Sequence, residues 1–391
     1  MGAKRLIVVG AGPMGLCAAL GAQERGFDVS VLERGQVGES LRRWGPTRFF
    51  TPLRMNLSPL CRGVLNGRLP APETVLTGPE MADRVLVPLA GSTALRGRVR
   101  TGHRVVSIGR SGLTRTELAG HPIRAERPFR IVTERGGVEE RWEADIVLDA
   151  SGGFAVPNPA GAGGIPALGE RALGDRLIRD LGELDGRLGS LAGKSILVIG
   201  HGHSAATAIL LLSGLARRDP GMCVTWAVRS ANRRPCEEVA EDPLPERRRV
   251  VSQANDLAGS PAAFLSVRRR TAIEEIHPEN GRLRVRFARE QPEVFDEIVS
   301  LTGYRPDYGF LSELALELSA ASEGPAALSR ALSGVTDCLS IPRVRPEDLA
   351  SGEPNFFFVG AKSYGRRRTF LLQTGLSHLD AILAVLAGTP A

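Results

Sequence analysis

The chain has 391 residues, 42% hydrophobic and 24% charged, which is enough for two or three domains with their own cores and excludes a chain disordered throughout. Its net charge of +7 sets 50 lysines and arginines against 43 acidic residues. The arginine runs at 247–249, 268–270 and 366–368 have no interleaved aromatics and no nucleic-acid motif, so they read as solvated faces with a general attraction for anionic ligands.

Lys4 and Arg5 before the apolar run 6–22 superficially resemble a secretory leader. A glycine fingerprint accounts for that run better. Elsewhere the longest apolar stretch, 205–212, is far shorter than the ~20 residues of a spanning helix. A cytoplasmic protein with no membrane anchor and no nucleic-acid partner is expected. Cys17, Cys61, Cys223, Cys236 and Cys338 are scattered, with no C-x-x-C pair and no metal-ligand spacing. They are expected to be buried or incidental thiols, and no metal site is expected.

In chain order, the apolar strand 6–9 runs into Gly10-Ala11-Gly12-Pro13-Met14-Gly15, a G-x-G-x-x-G turn. Gly10 permits the tight turn, Gly12 lets the backbone approach a pyrophosphate, and Gly15 lets the helix pack on the sheet. A pyrophosphate would sit on the helix N-terminus, where free N–H groups and the dipole favour negative charge. A helix over 16–25 stops at Gly26, and a second strand over 27–32 closes at Glu33, near the spacing of a carboxylate that holds ribose hydroxyls. A strand over 145–149 ends in Ala150-Ser151-Gly152. A Gly- and Pro-rich loop, 153–169, and a helix-like stretch, 171–182, follow.

The strand 196–199 then repeats the first pattern in Gly200-His201-Gly202-His203-Ser204-Ala205. Two such signatures suggest a relay between two nucleotides. The strand over 224–228 ends not in a carboxylate but in Arg229-Ser230, with Arg233 and Arg234 after it. A guanidinium pairs with a 2′-phosphate that a carboxylate would repel, which favours NADPH over NADH. The second unit closes at 298–301 with Thr302 and Gly303, and a last strand at 356–361 leads to an apolar helix over 370–386.

The order of G-x-G-x-x-G, Asp-Ala-Ser-Gly, G-x-G-x-S-A, Leu-Thr-Gly-Tyr-Arg-Pro-Asp and a C-terminal Val-Gly-Ala strand resembles the flavoproteins with two dinucleotide-binding domains. That group includes the flavin-dependent monooxygenases and the pyridine nucleotide-disulfide oxidoreductases. The resemblance implies an α/β fold of two Rossmann-like domains, the NAD(P)H domain inserted into a discontinuous FAD domain. The FAD domain would take residues 1–155 and 304–391, the linker 156–192 and the NAD(P)H domain 193–303.

It further implies that Gly10, Gly12, Pro13, Met14, Gly15 and Glu33 hold the FAD diphosphate and ribose, while Arg34, Arg43 and Trp44 lie toward the flavin. Val105 would meet the adenine, and Ala150, Ser151 and Gly152 would cross close to the nucleotide. Gly360 would lie beside the ribitol, with Ala361 standing where an aspartate is usual. The helix that begins near Thr374 would aim its N-terminus at the flavin and stabilise the reduced form. Gly200, Gly202, His203, Ser204 and Ala205 would hold the NADPH pyrophosphate near Thr302 and Gly303, with Arg229, Ser230 and Arg233 at the 2′-phosphate. His201 and His203 either contact this cofactor or stabilise the turn, and His378 either approaches the flavin or packs.

The reaction implied is hydride transfer from nicotinamide to FAD. With no redox dithiol, oxygenation of a small-molecule nitrogen, sulfur or carbonyl centre by O2 through a C4a-(hydro)peroxyflavin is the leading expectation. The F-x-G-x-x-x-H motif of typical class B monooxygenases is missing. The alternatives are a reductase or dehydrogenase acting on a small molecule or an electron-transfer partner, and a non-catalytic flavin-binding partner or sensor. No catalytic side chain is named and the oligomeric state stays open. Segments 48–68 and 235–261 are candidates for lining a cleft between the units.

Overall fold

The computed structural model describes residues 2–260 and 262–388. Pro261, at the end of one candidate cleft segment, and residues 389–391 of the expected C-terminal domain lie outside them.

Strand Arg5–Val9 is apolar and buried over most of its length, the pattern of a parallel strand covered on both faces. It pairs in parallel with Asp28–Leu32 on one side and Ile146–Asp149 on the other. Val99–Arg100 and Phe356–Phe358 complete a five-stranded parallel sheet. A second sheet repeats the plan, with Ser195–Ile199 between Cys223–Ala227 and Glu297–Ser300, and Leu265–Arg268 and Leu177–Ile178 at the edges. Each unit inserts a three-stranded antiparallel meander, built from 104–144 and 273–295 respectively, before the strand that returns beside the first. Both sheets therefore reverse strand order next to the strand that runs into the glycine turn, where open α/β sheets bind ligands at the carboxyl ends.

The second sheet takes residues 177–300, while the first takes strands from before 150 and again from 356–358. The two crossings between the units run side by side, as Val156–Pro157 pairs antiparallel with Tyr304–Arg305.

The helix expected at 171–182 does not form. Gly174 at φ +49 and ψ −123 interrupts 3-10 turns over Glu170–Arg176. Leu177–Ile178 is then an edge strand of the second sheet, and the Asp180 carboxylate caps a new helix, Leu181–Arg187, by accepting from Glu183 N–H. Apolar spacing alone did not distinguish this broken path from one continuous helix.

One large apolar cluster lies on the helical side of the first sheet and includes helices Pro13–Glu24 and Leu372–Ala387. Under the first meander sits a buried ion cluster. Glu353 receives Arg110 Nε and Arg124 Nη2, each at 2.8 Å, and all three side chains are fully buried. Cys17 and Cys61, far apart in sequence, are buried free thiols that come to an Sγ–Sγ separation of 3.2 Å in the apolar cluster. No helix among the described residues is long and apolar enough to cross a membrane.

Candidate dinucleotide sites

The first cradle is shaped by close backbone approach. Gly10 has φ +101, and a Cβ there would lie 2.7 Å from the Ala150 carbonyl oxygen. A Cβ on Gly15 would collide with the Gly10 carbonyl. Gly12 differs: a Cβ there meets nothing within 4 Å, so the space in front of it is open. Gly12 is the N-cap of helix Pro13–Glu24, has no side chain to cap it, and has no acidic residue in the first turn. The leading N–H groups and the positive end of the dipole are thus free for an anion. Pro13 costs nothing at N1, where its missing N–H would have been unpaired.

The Glu33 carboxylate accepts from Ala11 N–H at 2.7 Å and Gly35 N–H at 2.8 Å. It therefore ties the glycine turn to the end of its own strand, with Arg34 exposed beside it. Val105 packs against the cluster that contains Val9 and Leu32.

Met14 connects this cradle to the C-terminal segment. A Cβ on Gly360, at φ +79, would lie 2.8 Å from Met14 Cγ, and one on Gly375 would lie 3.2 Å from its Sδ. These contacts bring the first turn of helix Leu372–Ala387, with half-buried Thr374, up to the cradle. That turn also lacks a side-chain cap and an acidic residue. Ala361 offers no carboxylate, and its Cβ lies 3.9 Å from a Cβ built on Gly153. Sequence reasoning passed over the next residue. Lys362 is fully buried, with Nζ 2.7 Å from Asp149 Oδ2 and 3.1 Å from Ser151 Oγ.

The second cradle repeats the first. Gly200, at φ +126, abuts the Leu301 carbonyl as Gly10 abuts that of Ala150. Gly202 is the uncapped N-cap of helix His203–Ala216, with Ser204 exposed and Ala205 buried. Gly303, at φ +86, matches Gly152, at φ +82. The Trp226 indole donates to Gly200 O at 2.7 Å, fixing the turn. Thr302 Oγ1 donates to Asn158 O at 2.6 Å, so this side chain binds the crossing between the units.

The arginines after strand Cys223–Ala227 separate by their partners. Arg233 donates to Gly259 O, and Arg234 is held by Glu238 and Asp256. The Ser230 hydroxyl accepts from Asn232 N–H. Arg229 is exposed and makes no hydrogen bond or ion pair among the described residues. The His201 pKa lies below its ordinary value, because of desolvation first and then the charges of Arg229 and Arg368.

Residues of the first unit wall the second cradle. Arg368 lies four residues before helix Leu372–Ala387, and its Nη1 is 4.0 Å from a Cβ built on Gly202. Phe50 meets the His203 ring at 4.9 Å between centroids. Farther out, Arg43 pairs with Asp180 at 2.8 Å, and Phe154 makes T-shaped contacts with Trp44 and Tyr304 across the junction. Arg43 thus clasps the second unit and lines a cavity of about 530 Å³ with Glu170, Arg171 and Arg179. The two candidate cleft segments meet helix His203–Ala216 around a smaller cavity of about 240 Å³, lined by Arg48, Phe50, Thr207, Leu210 and Glu246.

His378 is buried and stacks on Tyr364 at 6.0 Å, and burial lowers its pKa to about 4. The ordinary value is 6.5, so between these two values the unfolded chain binds a proton that the native chain does not, and stability falls as pH falls through that window. A His378→Phe variant is expected to lose about 3 kcal/mol less than wild type between pH 7 and pH 4. Urea midpoints at both pH values measure this, and parallel losses in the two proteins would refute it.

Residues 7–63 match the sequence pattern of the family described as pyridine nucleotide-disulphide oxidoreductase. Comparison with curated protein sequences returns no match. Among solved structures, the chain is similar to the bacillithiol disulfide reductase Bdr (YpdA) from Bacillus cereus, with a TM-score of 0.66 and 17% identity over 98% of this chain and 99% of that one. Lactococcus lactis thioredoxin reductase in the FR conformation gives a TM-score of 0.62 and 18% identity over 98% of each chain. DfoA, the FAD-bound cadaverine monooxygenase from Erwinia amylovora, gives 0.67 and 15% over 99% and 95%. The chain therefore has the fold of the two-dinucleotide flavoproteins, and its first nucleotide unit carries the sequence pattern of the pyridine nucleotide-disulphide oxidoreductases.

Proposed function

We propose that this chain is an FAD-dependent oxidoreductase that takes hydride from NADPH and oxygenates a small-molecule nitrogen, sulfur or carbonyl centre. The observation that carries the pairing of cofactors is a pair of uncapped helix N-termini, each behind a glycine turn, with Arg368 and Phe50 of the first unit forming a wall of the second cradle. FAD held in the first cradle would supply the hydride acceptor and the oxygen chemistry. The chain's own part is to hold both diphosphates, align the nucleotides across this wall and exclude water.

Oxygenation is favoured over disulfide reduction by the placement of the cysteines. Cys17 and Cys61 are 3% and 0% exposed within an apolar cluster; their mutual contact and then burial push the Cys17 thiol well above its ordinary pKa, while the same contact lowers that of Cys61, which burial keeps from solvent. A thiol must ionise and be reached to exchange with a substrate disulfide. An NAD(P)H-dependent reductase is the second reading, supported by the reductase neighbours. Substrate-stimulated oxygen consumption with NADPH separates the two. Flavin that NADPH does not bleach under anaerobic conditions would sink both.

The unpartnered guanidinium of Arg229 supports NADPH. Arg229→Ala is expected to raise KM for NADPH about tenfold while leaving that for NADH within about twofold, since a charge-assisted pair contributes about 1.5 kcal/mol or more. Equal effects on both cofactors would count against Arg229 as the 2′-phosphate residue.

A further inference from the structure

Lys362 is a charged side chain with no exposure to water, enclosed by a carboxylate, a hydroxyl and aromatic rings. The ammonium has three N–H donors and no acceptor. Nζ donates to Ser151 Oγ at 3.1 Å and forms an ion pair with Asp149 Oδ2 at 2.7 Å. The remaining face lies over the Phe310 ring at 4.4 Å and near that of Tyr308 at 5.1 Å, where a cation is attracted to the π cloud. Asp149 in turn uses Oδ1 to accept from Ser151 N–H at 3.0 Å. The three residues close a ring on Ser151, which is held at both its backbone and its hydroxyl.

That ring sets the direction of the Ser151 hydroxyl. Lys362 can only donate, so Ser151 Oγ must accept, and the serine proton is left to donate elsewhere. Among the described residues it donates no hydrogen bond. Ser151 borders the first cradle, since its Cα lies 3.1 Å from a Cβ built on Gly10, and it is only half-buried. Ala361, one residue before Lys362, supplies no polar group of its own.

We propose that the buried Asp149–Lys362 pair is a positioning device that turns Ser151 into a fixed hydroxyl donor toward FAD in the first cradle, replacing a polar side chain at position 361. The inference rests on the proposed FAD reading of that cradle. Its occupant presents phosphate oxygens and ribitol hydroxyls, all able to accept this proton. A buried pair of charges is a poor stabiliser in general, because desolvation offsets most of its attraction. A gain in ligand geometry gives it a role that stability alone does not.

The test is titration of apoprotein with FAD, followed by flavin fluorescence. Ser151→Ala is expected to weaken FAD binding about tenfold, and Ser151→Thr, which keeps the hydroxyl, to stay within about twofold of wild type. The double variant Asp149→Leu/Lys362→Met removes both charges without orphaning either, and should weaken FAD as much as Ser151→Ala does. Adding Ser151→Ala to the double variant should then cost nothing more, a coupling that a purely structural pair would not give. Full-affinity binding by Ser151→Ala would overturn the proposal even if the double variant failed to fold. Wild-type apoprotein that binds no FAD would overturn the cradle reading beneath it, an outcome distinct from altered ratios among variants.

Discussion

Glu353→Ala is expected to destabilise the protein by about 3–5 kcal/mol, the range for breaking a buried ion cluster by removing one partner. The carboxylate serves both Arg110 and Arg124, whose side chains have no exposure, and it also accepts from Ala315 N–H at 2.9 Å. Burial alone would raise its pKa, yet Arg124, the Ala315 N–H and Arg110 hold it below the usual range. Removing it leaves two uncompensated guanidinium groups beneath the first meander, with Arg110 stacked 3.6 Å from the Phe129 ring centroid. Because the cluster joins residues 110 and 124 to residue 353, the loss should appear in the unit that holds the first sheet. Urea unfolding measures it, and a midpoint equal to that of wild type would show that water or a rearrangement rescues the arginines. A depressed carboxylate pKa adds stability at neutral pH that is lost as pH falls through the folded value. The difference between wild type and Glu353→Ala should therefore narrow in acid.

Gly202→Asp is expected to leave the protein yellow and fully loaded with FAD while slowing flavin reduction by NADPH at least about 100-fold, or about 2.7 kcal/mol. Only open space and the Arg368 guanidinium lie in front of this residue, so the substitution need not disturb the fold. A carboxylate there would occupy the backbone approach a diphosphate needs, and would add negative charge at the uncapped N-terminus of helix His203–Ala216. Stopped-flow reduction at saturating FAD reads the effect. An unchanged rate would mean that nicotinamide reaches the flavin by a path other than the second cradle, and the relay reading would fail with it.

Local chemistry was legible wherever function is carried by backbone shape. The strand-to-glycine-turn-to-helix pattern placed both cradles at the ends of Arg5–Val9 and Ser195–Ile199, because Gly10, Gly15 and Gly200 stand where a Cβ would collide with backbone, while Gly12 and Gly202 keep the approach to the helix N-termini open. The small-residue turns at 150–152 and 302–303 were legible for the same reason. The stretch 171–182 misled because helical periodicity persists across Gly174, whose backbone conformation is settled by the second sheet accepting Leu177–Ile178 at its edge.

Side-chain partnerships between distant segments had no local signal. Arg43 looks like a ligand-facing residue in sequence, and only the fold shows Asp180 waiting for it. Cys17 and Cys61 carry no spacing motif, yet two helices bring them together. Lys362 stands among unremarkable neighbours until the parallel pairing of Phe356–Phe358 with Ile146–Asp149 sets it beside Asp149. The linear order of residues by itself determined two nucleotide cradles and their likeness to a flavoprotein plan, since turn geometry and helix termini are written within a few consecutive positions. The tertiary structure alone decided which charges are neutralised, which guanidinium stays free and which residues of the first unit reach the second cradle, because these depend on contacts whose partners lie tens to hundreds of residues away.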